Sequence, residues 1–356
     1  MPELSVPATL RNCCLSIGNF DGVHRGHLQI LKALRKLADD LRTPAVAATF
    51  SPHPLALLRP DSAPPVITSV AERTRLLQAA GIDHVFVLPV TPPLLQMTAT
   101  DFFSKVLVER FAARGLVEGP NFHFGRGREG NTALLRSLCA TAGLRFVEVQ
   151  PVDDATGMIS SSRIREALAA GKLSDAVSQL GHPLRLTGTV VEGAQRGRTL
   201  GFPTANLADI PGMLPAHGVY AGSCRVSGQT FATAVCIGPN PTFGEQQQKV
   251  ECHLLGFSGN LYGQALAVDL LTEIRSLRSF ASAQELQLQI QSDIEAVRWC
   301  RSISRSMDFR SVSPLLPKTP CRSSRPRPPM ACSFWPTQRS TQCLKSSLRF
   351  RPTPER

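Results

Sequence analysis

Apolar and polar residues along the first half of the chain set strands and helices in alternation. Cys13 to Ile17 is a short apolar run; a glycine-rich stretch follows, and then Leu28, Ile30, Leu31, Leu34 and Leu37 recur at the spacing of one helix face. The reading is strand, turn, helix. Ala45 to Phe50 reads as a buried strand that stops at Ser51-Pro52-His53-Pro54, where the prolines force an extended turn. Helical spacing returns over Val70 to Ala80, Thr100 to Ala113 and Ala133 to Ala142, with strands at His84 to Leu88 and Leu144 to Val149. A further helix opens at Ile159 to Glu166 and ends near Gly171, and a short helical stretch runs to about Leu180. Strands and helices alternating at this interval predict an α/β domain on a parallel, doubly wound sheet.

Gly181-His182-Pro183 breaks that pattern, and the texture changes. Leu184 to Val191, Gly218 to Val226, Thr230 to Ile237, Lys249 to Leu255 and Gln264 to Leu271 are short alternating segments separated by turns, which suits a small antiparallel β-barrel. Leu286, Ile290, Ile294 and Val297 then fall at helical spacing within Gln284 to Arg298 and predict a closing C-terminal helix. The expected division is 1–180 for the sheet domain, 181–301 for the barrel and 302–356 for a tail. The tail is rich in Ser, Pro and Arg without hydrophobic periodicity, which favours disorder. It suits a basic interaction tail or, the preferred source, an extension from a shifted reading frame.

Charge changes this picture only at one end. The 356 residues carry a formal net charge of +12, which raises nucleic acid as a partner. From Arg301 onward, however, twelve Lys and Arg stand against Asp308 and Glu355, so the tail holds +10 and the body is close to neutral. A nucleic-acid partner is therefore not expected. The ten cysteines show no metal-ligand spacing and are expected to be reduced packing residues. With no leading signal segment and no apolar run of membrane length, a cytoplasmic protein without a membrane partner is expected.

The candidate chemistry begins at Gly18-Asn19-Phe20-Asp21-Gly22-Val23-His24-Arg25-Gly26-His27, where a strand hands over to a helix. The first turn of a helix leaves N–H groups unpaired and carries partial positive charge, so phosphate suits this place. Gly18, Gly22 and Gly26 would let the backbone turn sharply, and His24 and His27, three residues apart, can face the same side of the starting helix. Taken singly, each histidine also suits a cap or a satisfied core position, and each glycine an ordinary loop.

The string resembles the HxGH signature of the nucleotidylyltransferase superfamily, in the form found in bacterial bifunctional riboflavin kinase/FAD synthetases. The resemblance covers about Leu10 to Arg301. It implies a Rossmann-like nucleotidylyltransferase domain followed by a β-barrel riboflavin kinase domain. It also gives His24 and His27 the task of stabilising the triphosphate of ATP, with Gly18, Phe20, Asp21 and Gly22 beside them.

Three further stretches of the sheet domain extend the match. Thr49 to Pro54 is similar to the family's TFxPHP turn near the nucleotide. Gly119 to Asn131 alternates aromatics and glycines, with Arg126 and Arg128 able to meet phosphate or to be simply solvated. It resembles the NFxFGxxxxG segment, which implies FMN contacts at Asn121 and Gly125. The serines of Ile159 to Glu166 can cap a helix without any ligand, or can form a second anion site with Arg165 one turn inside. They resemble the SSTxxR motif on ATP, which implies contacts at Ser161, Ser162 and Arg165, with Ser162 keeping the hydroxyl of the usual threonine.

In the barrel, Gly197 to Asn206 offers a hydroxyl, an amide and glycine-spaced backbone, suited to a turn or to a Mg²⁺–ATP cradle. It matches the GxPTAN signature, which implies ATP contacts at Gly197, Gly201, Pro203, Thr204 and Asn206 and Mg²⁺ near Thr204 and Asn206. Strand alternation places Glu251 and His253 on one face. The family's VExHLLDF segment implies that Glu251 is the kinase base. Ile237 to Phe243 and Asn260 to Gly263 are similar to the family's NxGxxPTF and DLYG segments. Gly256 and Asn260 stand where the family has aspartate, and losing those carboxylates is expected to remove loop anchoring.

The implied function is flavin-cofactor synthesis: ATP phosphorylates riboflavin to FMN, and a second ATP adenylylates FMN to FAD. The alternative is a flavin-binding regulator or single-activity paralogue. Only small-molecule partners are expected, on a monomer or loose homo-oligomer.

Overall fold

The computed structural model describes residues 5–193, 196–199, 201–239 and 247–306. The expected tail from 307 onward and Asn240 to Phe243 of the PTF segment lie outside the described residues.

Strands β1 (Cys14–Gly18), β2 (Ala45–Ser51), β3 (His84–Pro89), β4 (Gly115–Glu118) and β5 (Arg145–Glu148) form a parallel sheet in the order β3-β2-β1-β4-β5. β1, β2 and β4 are buried nearly end to end, as strands covered on both faces must be. Helices α1 (Arg25–Leu41), α2 (Pro54–Leu58), α3 (Val70–Ala79), α4 (Pro92–Leu95), α5 (Ala99–Asp101) and α6 (Thr132–Thr141) connect them. One face packs Leu31, Leu34 and Leu77 against Cys14 and Ala47; the other packs Phe103, Leu107 and Leu135 against Leu15 and Val46. The doubly wound sheet is as expected.

Three local expectations change. The prolines after β2 start a helix: Pro54 takes the first position of α2, where its missing N–H costs nothing, and His53 caps it by accepting Leu55 N–H at 3.1 Å. The helix expected over Thr100 to Ala113 is mostly a π-helix, Phe102–Arg110, with Phe111 N–H bonded to the Val106 carbonyl. Its buried residues, Phe102 and Phe103, Val106 and Leu107, then Phe111, recur every four to five positions, which fits the wider π turn. The loop before the serine helix contains a two-residue hairpin, β6 (Asp153–Asp154) and β7 (Gly157–Met158).

Helices α7 (Ser161–Ala169) and α8 (Leu173–Leu180) lead into the second half. There β8 (Leu184–Val191), the short helix α9 (Arg196–Thr199), β9 (Ala205–Ala208), β10 (Gly218–Val226), β11 (Gln229–Gly238), β12 (Lys249–Leu254) and β13 (Ala265–Ser276) follow. The six strands close into a barrel in the order β10-β11-β12-β9-β8-β13. The unforeseen β9, only four residues long, lies between β12 and β8 and completes the closure. The closing helix α10 (Ala283–Ser306) seats Val297 against Ala221 and Ala232.

Ile164, Leu168, Leu173, Ala176 and Leu180 of α7 and α8 belong to the same buried cluster as barrel residues Leu184, Tyr220 and Val268. Ile67 of the sheet half joins it. The helix that opens with the serine string therefore joins the barrel's buried cluster by packing on α8, which packs on β13. Among the described residues no helix is long and apolar enough to cross a membrane.

Candidate active sites

In the sheet, the chain runs from β1 outward to β3 on one side and from β4 to β5 on the other. The switch between β1 and β4 opens a crevice at the carboxyl ends of the strands, where such sheets bind ligands. The turn after β1 enters that crevice with an unusual backbone: Phe20, Gly22 and Val23 have φ of 46°, 83° and 41°. Only glycine adopts that region without cost, and a β-branched residue there is rare. Gly22 is thus a glycine of necessity, whereas Gly18 and Gly26 do not have left-handed φ, contrary to the expectation of three sharp turns. A Cβ on Gly26 would come within 3.1 Å of the His24 ring, so its smallness makes room for the histidine.

The carboxylate of Asp21 holds this turn. It is 1% exposed and accepts from Ile67 N–H at 2.9 Å, Thr68 N–H at 3.0 Å and the Thr68 hydroxyl at 3.1 Å. Arg73 reaches it at 3.4 Å and Arg165 at 2.6 Å. Gly22 N–H donates to Thr68 Oγ1 at 3.0 Å.

His24 is the N-cap of α1, its Nδ1 accepting from His27 N–H at 3.3 Å. The two rings stack with centroids 3.6 Å apart, and Phe20 meets His27 edge-on at 5.3 Å. Burial pushes His24 down to about 4; the Asp21 charge opposes that shift, while His182 and Arg165 add to it. Burial also holds His27 well below the usual imidazole range, with His24 and Arg73 acting in the same sense. Both rings are neutral near pH 7. His27 Nδ1 and Asn19 Oδ1 are buried polar atoms without a protein hydrogen-bond partner, which leaves both open to water or a ligand.

The serine string arrives at the same place. Ser160 caps α7, Ser161 Oγ donates to the Asp21 carbonyl at 2.8 Å, and Arg165 also donates to the Pro65 carbonyl at 2.7 Å. The starts of α1 and α7 therefore share one cleft. Ser162 is exposed beside them, and Arg163 instead ties down the β6–β7 hairpin through Asp154 at 3.0 Å. That hairpin touches the loop after β4, where Asn121 Nδ2 lies 3.4 Å from Met158 Sδ. In the same loop Gly125 has φ 75°, and a Cβ there would fall 2.5 Å from Ala99 N. Its glycine is dictated by docking on α5.

In the barrel, Val250, Cys252 and Leu254 of β12 are buried while Glu251 and His253 lie half-buried on the alternate face, as strand periodicity predicts. Glu251 sits directly opposite Asn206 of β9. His253 Nδ1 meets the Pro203 carbonyl at 2.7 Å and so fastens the Pro203–Thr204 segment to β12. Thr204, Asn206, Arg198, Asn260, Tyr262 and Leu254 line a cavity of about 510 Å³. A neighbouring cavity of about 600 Å³ shares Asn206 and Gly193 with it. Glu251 does not line either cavity; it flanks the residue at which they meet. Cβ atoms on Gly193 and Gly197 would collide with the Asn206 amide and the Phe202 carbonyl, so the cradle exists because both are glycine. Gly201, with φ 86°, turns the chain between them and Pro203.

One expectation about this loop is corrected. Asn260 Oδ1 accepts Tyr262 N–H at 2.9 Å, and Gly263 N–H bonds to the Val190 carbonyl at 2.8 Å. An amide oxygen thus anchors the turn as a carboxylate would. Gly256 has φ 77°, a conformation in which aspartate would be strained.

A family model described as FAD synthetase matches residues 6–163, and one described as riboflavin kinase matches residues 180–300. The bifunctional riboflavin kinase/FMN adenylyltransferase of Escherichia coli (strain K12) is 38% identical over 287 residues, 80% of this chain and 92% of that relative. The chain belongs to the bifunctional riboflavin kinase/FMN adenylyltransferase family. The family's protein from Pseudomonas fluorescens is 35% identical over 289 residues, 81% of this chain and 93% of that relative. A crystal structure described as a macrolide-efflux protein from Streptococcus pneumoniae superposes with a TM-score of 0.74 at 30% identity. The superposition covers 83% of this chain and 96% of that one.

Sequence reasoning missed the residues that hold the family's motifs in place. Thr68 and Arg73 carry no motif of their own; only their burial beside Asp21 reveals them. Asn19 lay inside the quoted string, and its pairing with His53 at 2.9 Å joins the first turn to the proline turn.

Proposed function

We infer that the barrel half phosphorylates riboflavin with ATP and that the sheet half adenylylates the resulting FMN with a second ATP, giving FAD and pyrophosphate. The division falls at Leu180–Gly181, and the enzyme works in the cytoplasm on small molecules. The observation that carries the adenylyl half is the contact of Ser161 with the Asp21 carbonyl, which brings two helix starts to one cleft.

For adenylyl transfer, an FMN phosphate oxygen attacks the α-phosphorus of ATP as the bond to pyrophosphate breaks. Free N–H groups at the starts of α1 and α7, the Arg165 guanidinium and the ring N–H groups of His24 and His27 stabilise the negative charge that shifts onto the leaving phosphates. Being neutral, the imidazoles act as hydrogen-bond donors rather than as fixed cations. Asn121 and the Gly125 backbone hold FMN. No covalent enzyme intermediate is needed.

For the kinase step, the two cavities that meet at Asn206 are read as places for ATP and riboflavin. Glu251 takes the proton of the primary ribityl hydroxyl as its oxygen attacks the γ-phosphorus and ADP leaves; positioning and charge stabilisation do most of the work. Magnesium suits the cradle, because Thr204 and Asn206 offer oxygen donors where Gly193 and Gly197 leave room, and these two residues would hold it together with phosphate and water. Bound there with ATP, it would neutralise phosphate charge.

The test is to incubate the full chain with riboflavin, ATP and Mg²⁺ and to separate the flavins. FMN and then FAD are expected. FMN alone would remove the adenylyl half, and unconverted riboflavin would remove the kinase half.

A further inference from the structure

His182 was legible in the sequence only as part of a helix-breaking Gly-His-Pro, and the function described above gives it no task. It stands between the end of α8 at Leu180 and the start of β8 at Leu184. Yet its ring reaches back 160 residues: Nε2 lies 2.9 Å from the Gly22 carbonyl and Nδ1 lies 2.9 Å from the Pro183 carbonyl. Carbonyl oxygens only accept, so each nitrogen needs a proton for its bond to form: a neutral ring makes one of the two, the Nε2–H tautomer holding Gly22, and an imidazolium makes both.

The bond falls on a tightly constrained turn. Gly22 is flanked by Asp21, whose carboxylate is buried, and by Val23, whose φ is 41°. Gly22 N–H is already held by Thr68, and a Cβ on Gly22 would lie 3.1 Å from Leu180, so the junction segment touches this residue twice. Strained backbone persists only where its surroundings over-determine it. Removing the donor to the Gly22 carbonyl releases one of the bonds that fix the turn one residue ahead of His24, at the Gly22–Val23 peptide.

We propose that His182, supplied by the sheet–barrel junction, is a positioning residue for adenylyl transfer: its Nε2–H holds the Gly22 carbonyl and so sets the turn that presents His24 and His27 to the triphosphate. The proposal depends on reading this cleft as the adenylyltransferase site. His182 touches no reacting atom and acts through the backbone.

The test uses the full chain and three variants, His182→Ala, His182→Gln and His182→Asn, each assayed for FMN from riboflavin and for FAD from supplied FMN. A glutamine amide reaches the position of Nε2, whereas an asparagine amide reaches only that of Nδ1. For His182→Ala, kcat for FAD formation falls about ten- to a hundred-fold, the scale of a sub-ångström to ångström misplacement, with KM changing far less. His182→Gln recovers most of the loss, His182→Asn does not, and FMN formation stays within about two-fold throughout. Unchanged FAD formation in His182→Ala, equal rescue by Asn and Gln, or an equal fall in both reactions overturns the proposal. Absence of FAD formation by the unsubstituted chain would instead overturn the adenylyltransferase reading, and this proposal with it.

Discussion

The guanidinium of Arg165 closes on the carboxylate of Asp21 at 2.6 Å, across 144 residues of chain. Arg165 was expected at a phosphate and Asp21 beside one, yet in this cleft they first hold each other. The carboxylate also accepts two backbone N–H groups and faces Arg73, which is 4% exposed. It is the knot where the β1 turn, the 65–68 segment, α3 and α7 are tied. Its part in nucleotide binding follows from aiming Arg165, since its own oxygens are already occupied.

Asp21→Asn should therefore act on structure and on FAD formation together. The amide replaces one acceptor oxygen with an N–H that faces other donors, and it leaves Arg73 buried without its counter-charge. Breaking a buried pair of this kind costs about 3–5 kcal/mol. Urea unfolding should show a loss of that order, with FAD formation falling further than FMN formation. A variant as stable as the unsubstituted chain would show that the carboxylate is not the knot.

His24 gives a pH prediction with a definite sign. Its folded value, about 4, lies below the ordinary 6.5, so the unfolded chain binds a proton that the folded chain refuses between those values. Stability from this residue is fully present above pH 6.5 and is lost as the pH falls toward 4, by about 3 kcal/mol over the window. His27 moves in the same direction. Unfolding free energies measured from pH 7 to 4 should slope downward, and His24→Gln should flatten part of that slope. Equal slopes would mean that His24 is not held neutral.

The two strand-helix punctuations and the barrel were legible because each rests on local rules: glycine and proline breaks, apolar periodicity and serine caps. Leu184–Val191 and Gly218–Val226 are the observed bounds of β8 and β10; β8 alternates cleanly between buried and outward residues, while β10 is buried over its first five. β9 was not legible: four residues give too short a period, and its strand character comes from pairing with β12 and β8. The same holds for the sites. The motifs named His24, Ser161 and Asn206, while Thr68, Arg73 and His182 act only through contacts between distant segments.

Glu251 and Asn206, cross-strand neighbours on β12 and β9, should separate the two reactions. Glu251→Gln keeps the shape but cannot take a proton, so FMN formation should fall about 10²- to 10⁴-fold, the usual worth of a general base. FAD formation from supplied FMN should be unchanged, because that step uses the other cleft. The assay is the rate of each flavin conversion measured separately. A residual FMN rate near that of the unsubstituted chain would move the base elsewhere.

Asn260 tests whether an amide can stand where the family has a carboxylate. Its Oδ1 accepts Tyr262 N–H, its carbonyl accepts Gln264 Nε2–H at 3.0 Å, and it lines the barrel cavity with Tyr262. Only the first of these bonds uses the side chain, and aspartate would make it equally well. Asn260→Asp should therefore leave FMN formation close to that of the unsubstituted chain. Asn260→Ala removes the acceptor and frees a partly exposed turn, at a cost of about 1 kcal/mol. Because the turn borders the cavity that Thr204 and Asn206 also line, that loss should appear as a raised KM for ATP with little change in kcat. If Asn260→Asp instead raised the rate well above that of the unsubstituted chain, the carboxylate would do chemistry that the amide lacks, and anchoring would not be its main task.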